Sequence, residues 1–275
     1  MLETVDLSLS LAKPKYDERQ PKLKERLFEL EHAIFSAKIP VAIVFEGWAA
    51  AGKGTTIRVL AERLDPRAFR VVPIAPPRTF ETHYPWLWRF WLRIPARGQI
   101  VVFDTSWYRR VLSDRVLGAV RKREWRDAYQ DIADFEEQLA ADGTVILKFW
   151  MHISKKEQAS RIKKLMKSER TAWQVTKEDV AQHKSYEKHL AAVEEMLART
   201  DSPSAPWVVV EATDRHHARV KVMEAIIAAL ETRLRPSAPA ANGKAVKAAK
   251  AVKAGKRAKA KAAPRAAKRA KREAR

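Results

Sequence analysis

The sequence predicts an α/β fold in which a parallel β-sheet is flanked by helices. Five short segments are rich in β-branched and other apolar residues and are almost continuously apolar. This pattern is typical of strands that are buried on both faces of a parallel sheet. Amphipathic segments lie between them, and the alternation of strand and helix indicates a doubly wound arrangement. The predicted strands are residues 41–46, 70–74, 100–104, 145–150 and 207–211.

Seven segments have the periodicity of amphipathic helices. Ser154 and Glu157 have the spacing of a capping box, so we expect a helix to begin there. Residues 155–200 follow the fourth strand and are almost entirely helical, which is more than a simple crossover requires. We therefore predict a protruding helical lid of about these residues. The predicted helices lie near 22–36, 53–64, 84–92, 122–141, 155–167, 177–199 and 215–234.

The composition excludes several classes of protein. The 275 residues include no cysteine, which excludes disulfide bonds, thiolate zinc sites and cysteine nucleophiles. No run of about eighteen apolar residues predicts a transmembrane helix, and the N-terminal segment lacks the apolar core of a signal peptide. We therefore expect a cytoplasmic protein that does not bind membranes.

The seven histidines show no metal-ligand spacing, and we interpret His183 and His189 as structural.

The net charge of +21 is concentrated at the C-terminus. Residues 236–275 contain 14 Lys and Arg, one Glu and no apolar residue larger than valine. Burial cannot offset the ordering entropy of such a segment, so we predict a disordered tail after a folded domain of residues 1–235. The lysines suit DNA, RNA or polyphosphate, and a solubilising tail without a dedicated partner is the alternative. The body is also basic, which indicates a polyanionic partner or substrate unless the whole proteome is basic.

A phosphate-binding loop follows the first predicted strand. Residues 47–54 read GWAAAGKG, which is the spacing of a P-loop between a strand and a helix. In such a loop, backbone N–H groups and the helix dipole converge on phosphate oxygens, and the lysine adds a full charge. Most P-loops carry a Ser or Thr for Mg²⁺ at the position of Gly54, so either Thr55 or Thr56 replaces it or the ion is held elsewhere. The predicted phosphate-binding residues of the loop are Gly47, Gly52, Lys53, Gly54 and Thr55.

An aspartate ends the third predicted strand. Asp104 follows four apolar residues, and the carboxyl ends of the strands form the active edge of an α/β sheet. Asp104 is therefore a candidate ligand of Mg²⁺ beside the phosphates, and capping of the next helix is the alternative. Arg109, Arg110 and Arg115 follow closely, where their guanidinium groups could make bidentate contacts to phosphate.

Several segments in this order resemble the polyphosphate kinase 2 family, the polyphosphate:nucleotide phosphotransferases. The segments are GWAAAGKG, VVFDTSWYRR, LKFWMHISKKEQ, the predicted lid and APWVVVEATDRHHARVKV, and the similarity spans about residues 16–231. This combination is far more specific than a P-loop alone. The FEGW and LWRFW segments look most like the branch that phosphorylates AMP to ADP.

The resemblance implies a P-loop kinase-like fold with a helical lid. It also implies the transfer of a phosphoryl group, with Mg²⁺, from inorganic polyphosphate to a nucleoside mono- or diphosphate, in a reaction that can run in reverse. We also expect a homo-oligomer. By motif position, Lys53, Asp104 and Arg110 are predicted to be catalytic. Asp104 is also predicted to bind Mg²⁺, and Arg110 and Arg115 to bind substrate phosphates.

The sequence departs from the family's usual pattern at three places. Ala49 replaces the usual acidic residue of the loop, Thr105 replaces the usual arginine after the aspartate, and residues 172–174 read Ala-Trp-Gln instead of Arg-Trp-Lys. Losing one such electrostatic contact can lower a rate by roughly 10²–10³. We consider Glu46 a candidate substitute for the missing acid.

Two other functions remain open on the sequence alone. The changes at Ala49 and Thr105 are consistent with a weakened or inactive member that binds polyphosphate or nucleotide and is tethered to nucleic acid by its tail. The P-loop by itself is consistent with an ATP-dependent small-molecule kinase or a regulatory GTPase, although the guanine-specificity motif N-K-x-D is absent.

Overall fold

A computed structural model describes residues 2–235, so the disordered tail predicted for residues 236–275 lies outside the described residues. All five predicted strands are confirmed, and they form one parallel sheet in the order β2-β3-β1-β4-β5. The second strand begins one residue earlier than predicted, and the fourth extends two residues further. The strands are β1 (Val41–Gly47), β2 (Phe69–Pro73), β3 (Ile100–Asp104), β4 (Val145–His152) and β5 (Trp207–Glu211).

Helices cover both faces of the sheet, as the doubly wound pattern predicts. Among the described residues, helices α1, α2 and α10 pack on one face, where Leu27, Leu60 and Ile226 surround Ile43 of the central strand. Helices α5 and α9 lie on the other face. The helices are α1 (Lys13–Ala37), α2 (Lys53–Ala61), α3 (Trp88–Trp91), α4 (Ser113–Val116), α5 (Lys122–Ala141), α6 (Lys155–Met166), α7 (Glu169–Ala172), α8 (Lys177–Lys184), α9 (Tyr186–Thr200) and α10 (Arg215–Leu234).

Three helix predictions are wrong in extent. The helix predicted near 22–36 begins at Lys13, with Pro14 in its first turn, where proline is tolerated, and Pro21 inside the helix. The helix predicted near 84–92 is reduced to α3, because Pro85 forces Tyr84 into an extended conformation with φ −116° and ψ 160°. The helix predicted near 177–199 is divided at Ser185, where ψ is 31° and the backbone leaves the helical region. The chain therefore changes direction between α8 and α9.

The break at Ser185 also divides the predicted lid segment. Helix α9 buries one face against the body, including Val193, Met196 and Leu197. Helices α7 and α8 bury no residue, and α6 buries Gln158 and Ile162. Residues 155–184 of the predicted lid segment thus bury few side chains, whereas α9 belongs to the core. We call residues 155–184 the lid.

The face covered by α5 and α9 contains a buried ionic network. Lys148 of β4 is fully buried, and its Nζ donates to Glu136 at 2.8 Å, to the Tyr108 hydroxyl at 2.9 Å and to the Thr200 carbonyl at 2.7 Å. These bonds use all three N–H groups of the ammonium. Glu136 also accepts from the Trp107 indole at 2.9 Å and from the Tyr108 hydroxyl at 2.8 Å. The network therefore ties β4, α5 and α9 to the turn that follows β3.

We expect Lys148→Met to lower the free energy of unfolding by about 3–5 kcal/mol, because Glu136 would stay buried without a cationic partner. The double variant Lys148→Met/Glu136→Leu removes both charges and should recover part of this loss. Urea denaturation of the two variants measures the difference. Lys155→Met is the control, because its ion pair with Glu187 is exposed and should change stability little. Wild-type stability of Lys148→Met would show that the network contributes nothing.

Candidate functional site

The P-loop turns away from the sheet at Gly47, the last residue of β1. A Cβ atom built on Gly47, whose φ is 150°, would lie 2.6 Å from the Met151 carbonyl oxygen of β4, so no side chain fits there. Gly52 precedes α2 in a left-handed conformation with φ 101°. The two glycines thus provide the close approach and the turn that the P-loop motif requires.

The predicted phosphate-binding residues of the loop lie at the start of α2, which begins at Lys53. The Lys53 ammonium donates to the Gly47 carbonyl at 3.3 Å, so it lies inside the curl of the loop. The Thr55 hydroxyl donates to the Gly52 carbonyl at 2.9 Å, and Gly54 has open space where a side chain would be. The backbone N–H groups of this first turn have no intrahelical acceptor, which suits an anion.

Two carboxyl groups end neighbouring strands at this edge of the sheet. Asp104 ends β3, and Glu46 precedes the last residue of the adjacent strand β1. Glu46 is buried and accepts hydrogen bonds from the Ser106 amide and hydroxyl, both at 2.8 Å. Burial raises the pKa of the Glu46 carboxyl to about 7, and the negative charge of Asp104 adds to this shift. The predicted Asp104 and the suggested substitute Glu46 therefore lie near enough for the charge of one to affect the other.

A cavity of about 70 Å³ lies between the P-loop, the turn after β3 and the lid. Of the predicted site residues, Gly47 and Lys53 line it. Ala49 and Thr105, which depart from the family pattern, line it as well. Its charged and hydrogen-bonding side chains include Glu46, Lys53, Arg109, Glu178, Gln182 and His189.

Arg109 is the arginine that reaches this cavity. Its guanidinium contacts Asp114 at 2.9 Å and Glu178 of the lid at 2.7 Å. The sequence placed it in a cluster with Arg110 and Arg115 but did not single it out. Arg109 belongs to the 3₁₀ turn Trp107–Arg110. The buried network holds this turn through Trp107 and Tyr108, and Arg109 therefore points to the site.

The other two arginines make contacts elsewhere. Arg110 pairs with Glu124 at 3.2 Å and lies over the Trp86 ring. Arg115 pairs with Glu195 at 2.7 Å and stacks on Trp125, with its guanidinium carbon 3.9 Å from the ring centroid. Neither residue lines the cavity. The phosphate-binding roles assigned to Arg110 and Arg115 stay predictions.

The lid contacts the P-loop directly. The Gln182 side-chain oxygen of α8 accepts from the Ala49 amide at 2.7 Å, and Gln158 of α6 donates to the same oxygen at 3.0 Å. Arg161 of α6 donates to the loop carbonyls of Ala50 at 3.2 Å and Ala51 at 3.4 Å. Together with the Arg109–Glu178 ion pair, these contacts hold α6 and α8 against the site.

Lid side chains thus occupy groups that could bind phosphate. A carboxylate of Glu178 lies on Arg109, and an amide oxygen of Gln182 lies on a P-loop N–H. The cavity of about 70 Å³ is smaller than the pockets of about 300–1,000 Å³ that usually bind small molecules.

Thr105 has an unusual backbone conformation at the end of β3. Its φ is 64°, which is rare for a β-branched residue and implies local strain. Its amide donates to the Phe45 carbonyl at 3.0 Å, which keeps the turn attached to β1. Thr105 thus places a short side chain at a constrained backbone position, where the family pattern has an arginine.

The donor groups at this edge are of the type that Mg²⁺ takes. The ion is usually held by one or two carboxylates together with substrate phosphates and water. Asp104 and Glu46 supply that number of carboxylates at adjacent strand ends. In the part of the chain that the structure describes, no group of three or more His, Cys, Asp or Glu could hold a metal ion.

None of the described helices is long and apolar enough to span a membrane.

Comparisons with known proteins agree with the resemblance. The family model of polyphosphate kinase 2 matches residues 10–237. A polyphosphate:AMP phosphotransferase from Pseudomonas syringae pv. tomato is 43% identical over 232 residues, which is 84% of this chain and 46% of that protein. An ADP-polyphosphate phosphotransferase from Pseudomonas aeruginosa is 32% identical over 237 residues, 86% of this chain and 78% of that protein. The chain spans about half the length of the polyphosphate:AMP phosphotransferases that it matches.

A solved structure has the same fold. The crystal structure of polyphosphate kinase 2 from Arthrobacter aurescens TC1 superposes with a TM-score of 0.81 at 27% identity. The superposition covers 92% of this chain and 93% of that chain. The predicted fold class is therefore confirmed over the described body.

We expect Glu178→Gln to tighten the binding of inorganic polyphosphate by about fivefold, because it removes the lid carboxylate that competes for Arg109 at a partly buried ion pair. Isothermal titration with polyphosphate of defined length measures the dissociation constant. Glu187→Gln makes the same charge change at an exposed ion pair near the lid and is the control. Equal effects of the two variants would show that only the net charge matters.

Proposed function

Because the chain belongs to the polyphosphate kinase 2 family, we propose that it transfers a terminal phosphoryl group from inorganic polyphosphate to a nucleotide. The observation that carries the proposal is the cavity beside the P-loop, which Lys53, Arg109 and Glu46 line, with Asp104 at the end of the neighbouring strand β3. A basic protein also attracts a polyanionic donor.

Phosphoryl transfer depends on positioning and on neutralisation of charge, and needs little covalent chemistry from the protein. The P-loop amides and Lys53 would hold phosphate oxygens at the start of α2. Arg109 would hold a second phosphate once Glu178 has left it. Lid closure over the bound substrates would exclude water, which strengthens these contacts and limits hydrolysis of the donor.

Asp104 and Glu46 would hold Mg²⁺. The ion would neutralise charge on the phosphate oxygens when it is bound. The Ser106 amide and hydroxyl orient the Glu46 carboxylate, and Thr105 links the two strand ends. The protein's own part is thus to hold two carboxylates at fixed positions beside the P-loop.

We propose AMP as the preferred acceptor. Two relatives named polyphosphate:AMP phosphotransferases are 43% and 41% identical, whereas three relatives named ADP-polyphosphate phosphotransferases are 30–33% identical. The replacements at Ala49 and Thr105 should slow the reaction compared with relatives that retain the charged residues. No observation favours the alternative of a binding-only protein.

Four further expectations belong to this proposal. The protein would act in the cytoplasm and as a homo-oligomer. Residues 236–275 would bind DNA, RNA or polyphosphate through their positive charge. The lid, residues 155–184, would open for substrate entry, because its contacts with the loop and with Arg109 occupy phosphate-binding groups.

We expect the protein, incubated with Mg²⁺, long-chain polyphosphate and AMP, to form ADP, and we expect Lys53→Ala and Asp104→Asn each to lower kcat by roughly 10²–10³. Chromatography of the nucleotides measures the products. Lys155→Ala, an exposed residue at the start of α6, is the control and should keep the wild-type rate. Wild-type turnover in both site variants would show that the site is assigned wrongly, and equal turnover with ATP as donor would contradict the choice of polyphosphate.

A further inference from the structure

His189 lies on α9 at the wall of the cavity that Lys53 and Arg109 also line. Its side chain is only 2% exposed. The sequence interpretation of this histidine as structural rested on spacing along a helix and could not show what the ring faces. The structure places the ring beside the same cavity as Lys53 and Arg109.

The hydrogen bonds of Ser185 determine which ring nitrogen of His189 carries the proton. The Ser185 hydroxyl donates to the Ala181 carbonyl at 2.7 Å, so its hydrogen is already used. His189 Nδ1 lies 3.1 Å from that hydroxyl oxygen and 3.2 Å from the Ser185 carbonyl oxygen. Both atoms are then acceptors, so Nδ1 must carry the hydrogen, and Nε2 of the neutral ring carries a lone pair.

Burial favours this neutral ring. It lowers the pKa of the His189 imidazole, although the Ser185 carbonyl and the negative charge of Glu178 act in the opposite direction. Nε2 is itself fully buried in the present position of the lid, and it has no hydrogen-bond partner among the described residues. A buried acceptor without a partner costs free energy, and such groups in proteins usually have a ligand, a water or a function.

The chemistry of the cavity selects the partner of this nitrogen. Lys53 and Arg109 supply donors for anionic phosphate oxygens, whereas a lone pair repels such oxygens and accepts from a hydroxyl. The hydroxyl groups of a nucleotide that lie within a few bonds of its phosphorus are those of the ribose and of a protonated phosphate. His189 is therefore complementary to the nucleotide part of the substrate pair, because the interior of a polyphosphate chain has no hydroxyl.

We propose that His189 is a specificity-determining residue whose Nε2 accepts a hydrogen bond from a hydroxyl group of the acceptor nucleotide. The inference rests on the proposed function, since it names a contact to the nucleotide of that reaction. It also explains why a polar ring is placed at an otherwise apolar position of α9, next to Val193 and Ala192.

Two variants separate this contact from packing. His189→Phe keeps an aromatic ring and removes both nitrogens, whereas His189→Gln places an amide near the position of Nε2. Both variants lose the Nδ1 bond to Ser185. The comparison between them therefore reports on the polar group at the position of Nε2, which only His189→Gln supplies. For AMP, we expect His189→Phe to raise the dissociation constant about tenfold and to lower kcat/KM about tenfold, because one hydrogen bond is lost. We expect both quantities in His189→Gln to stay within about threefold of wild type.

Titration calorimetry and kinetics with AMP, 2′-deoxy-AMP and 3′-deoxy-AMP identify the hydroxyl. If a ribose hydroxyl is the donor, wild type should bind the corresponding deoxynucleotide about tenfold more weakly, and His189→Phe should bind it and AMP equally. If a protonated phosphate is the donor, His189→Phe should weaken all three nucleotides alike. Thermal unfolding of both variants checks that the fold is intact.

Equal behaviour of His189→Phe and wild type, or equal impairment of His189→Phe and His189→Gln, would overturn the inference and leave the proposed function standing. Failure of wild type to bind or phosphorylate any of the three nucleotides would overturn the proposed function, and the inference with it. The two failures are thus distinguished by the wild-type protein alone.

Discussion

The close approach of Gly47 to β4 is the constraint on which the candidate site depends. The central strand can continue into the phosphate-binding loop only because no side chain separates it from the Met151 carbonyl. Parallel pairing with β3 and β4 then aligns the carboxyl ends of three strands. Glu46, Asp104 and the start of α2 reach one edge of the sheet as a consequence of this pairing.

A second constraint acts from beneath the site. The bonds of Lys148 and Glu136 fix Trp107 and Tyr108, and the same short turn carries Arg109 into the cavity. An ionic network in the core is expensive to desolvate, and its partners here are fully engaged. The buried network therefore fixes the turn that carries Arg109, whereas polar contacts hold the lid against the site.

The sequence predicted what depends on local pattern. Apolar runs gave all five strands, and the glycine spacing gave the loop with Lys53 and its neighbours. It could not distinguish Arg109 from Arg110, because the side-chain direction in a four-residue 3₁₀ turn follows from tertiary anchoring. It also missed Gln182, Glu178 and His189, since helical periodicity does not show which face meets a loop distant in the chain. The break at Ser185 had no proline or glycine to signal it.

Arg161 has a consequence for the evolution of this site. Its Nη1 group donates to the loop carbonyl oxygens of Ala50 and Ala51. Its Nη2 group donates to the carbonyl oxygens of Ala212 and Thr213. Main-chain oxygens are present whatever residue is encoded. Substitutions that keep the loop's backbone path can therefore accumulate under the lid without undocking it. This tolerance offers a route by which Ala49 could replace an acid while the surrounding architecture persisted, so that catalytic strength and structural integrity drift independently.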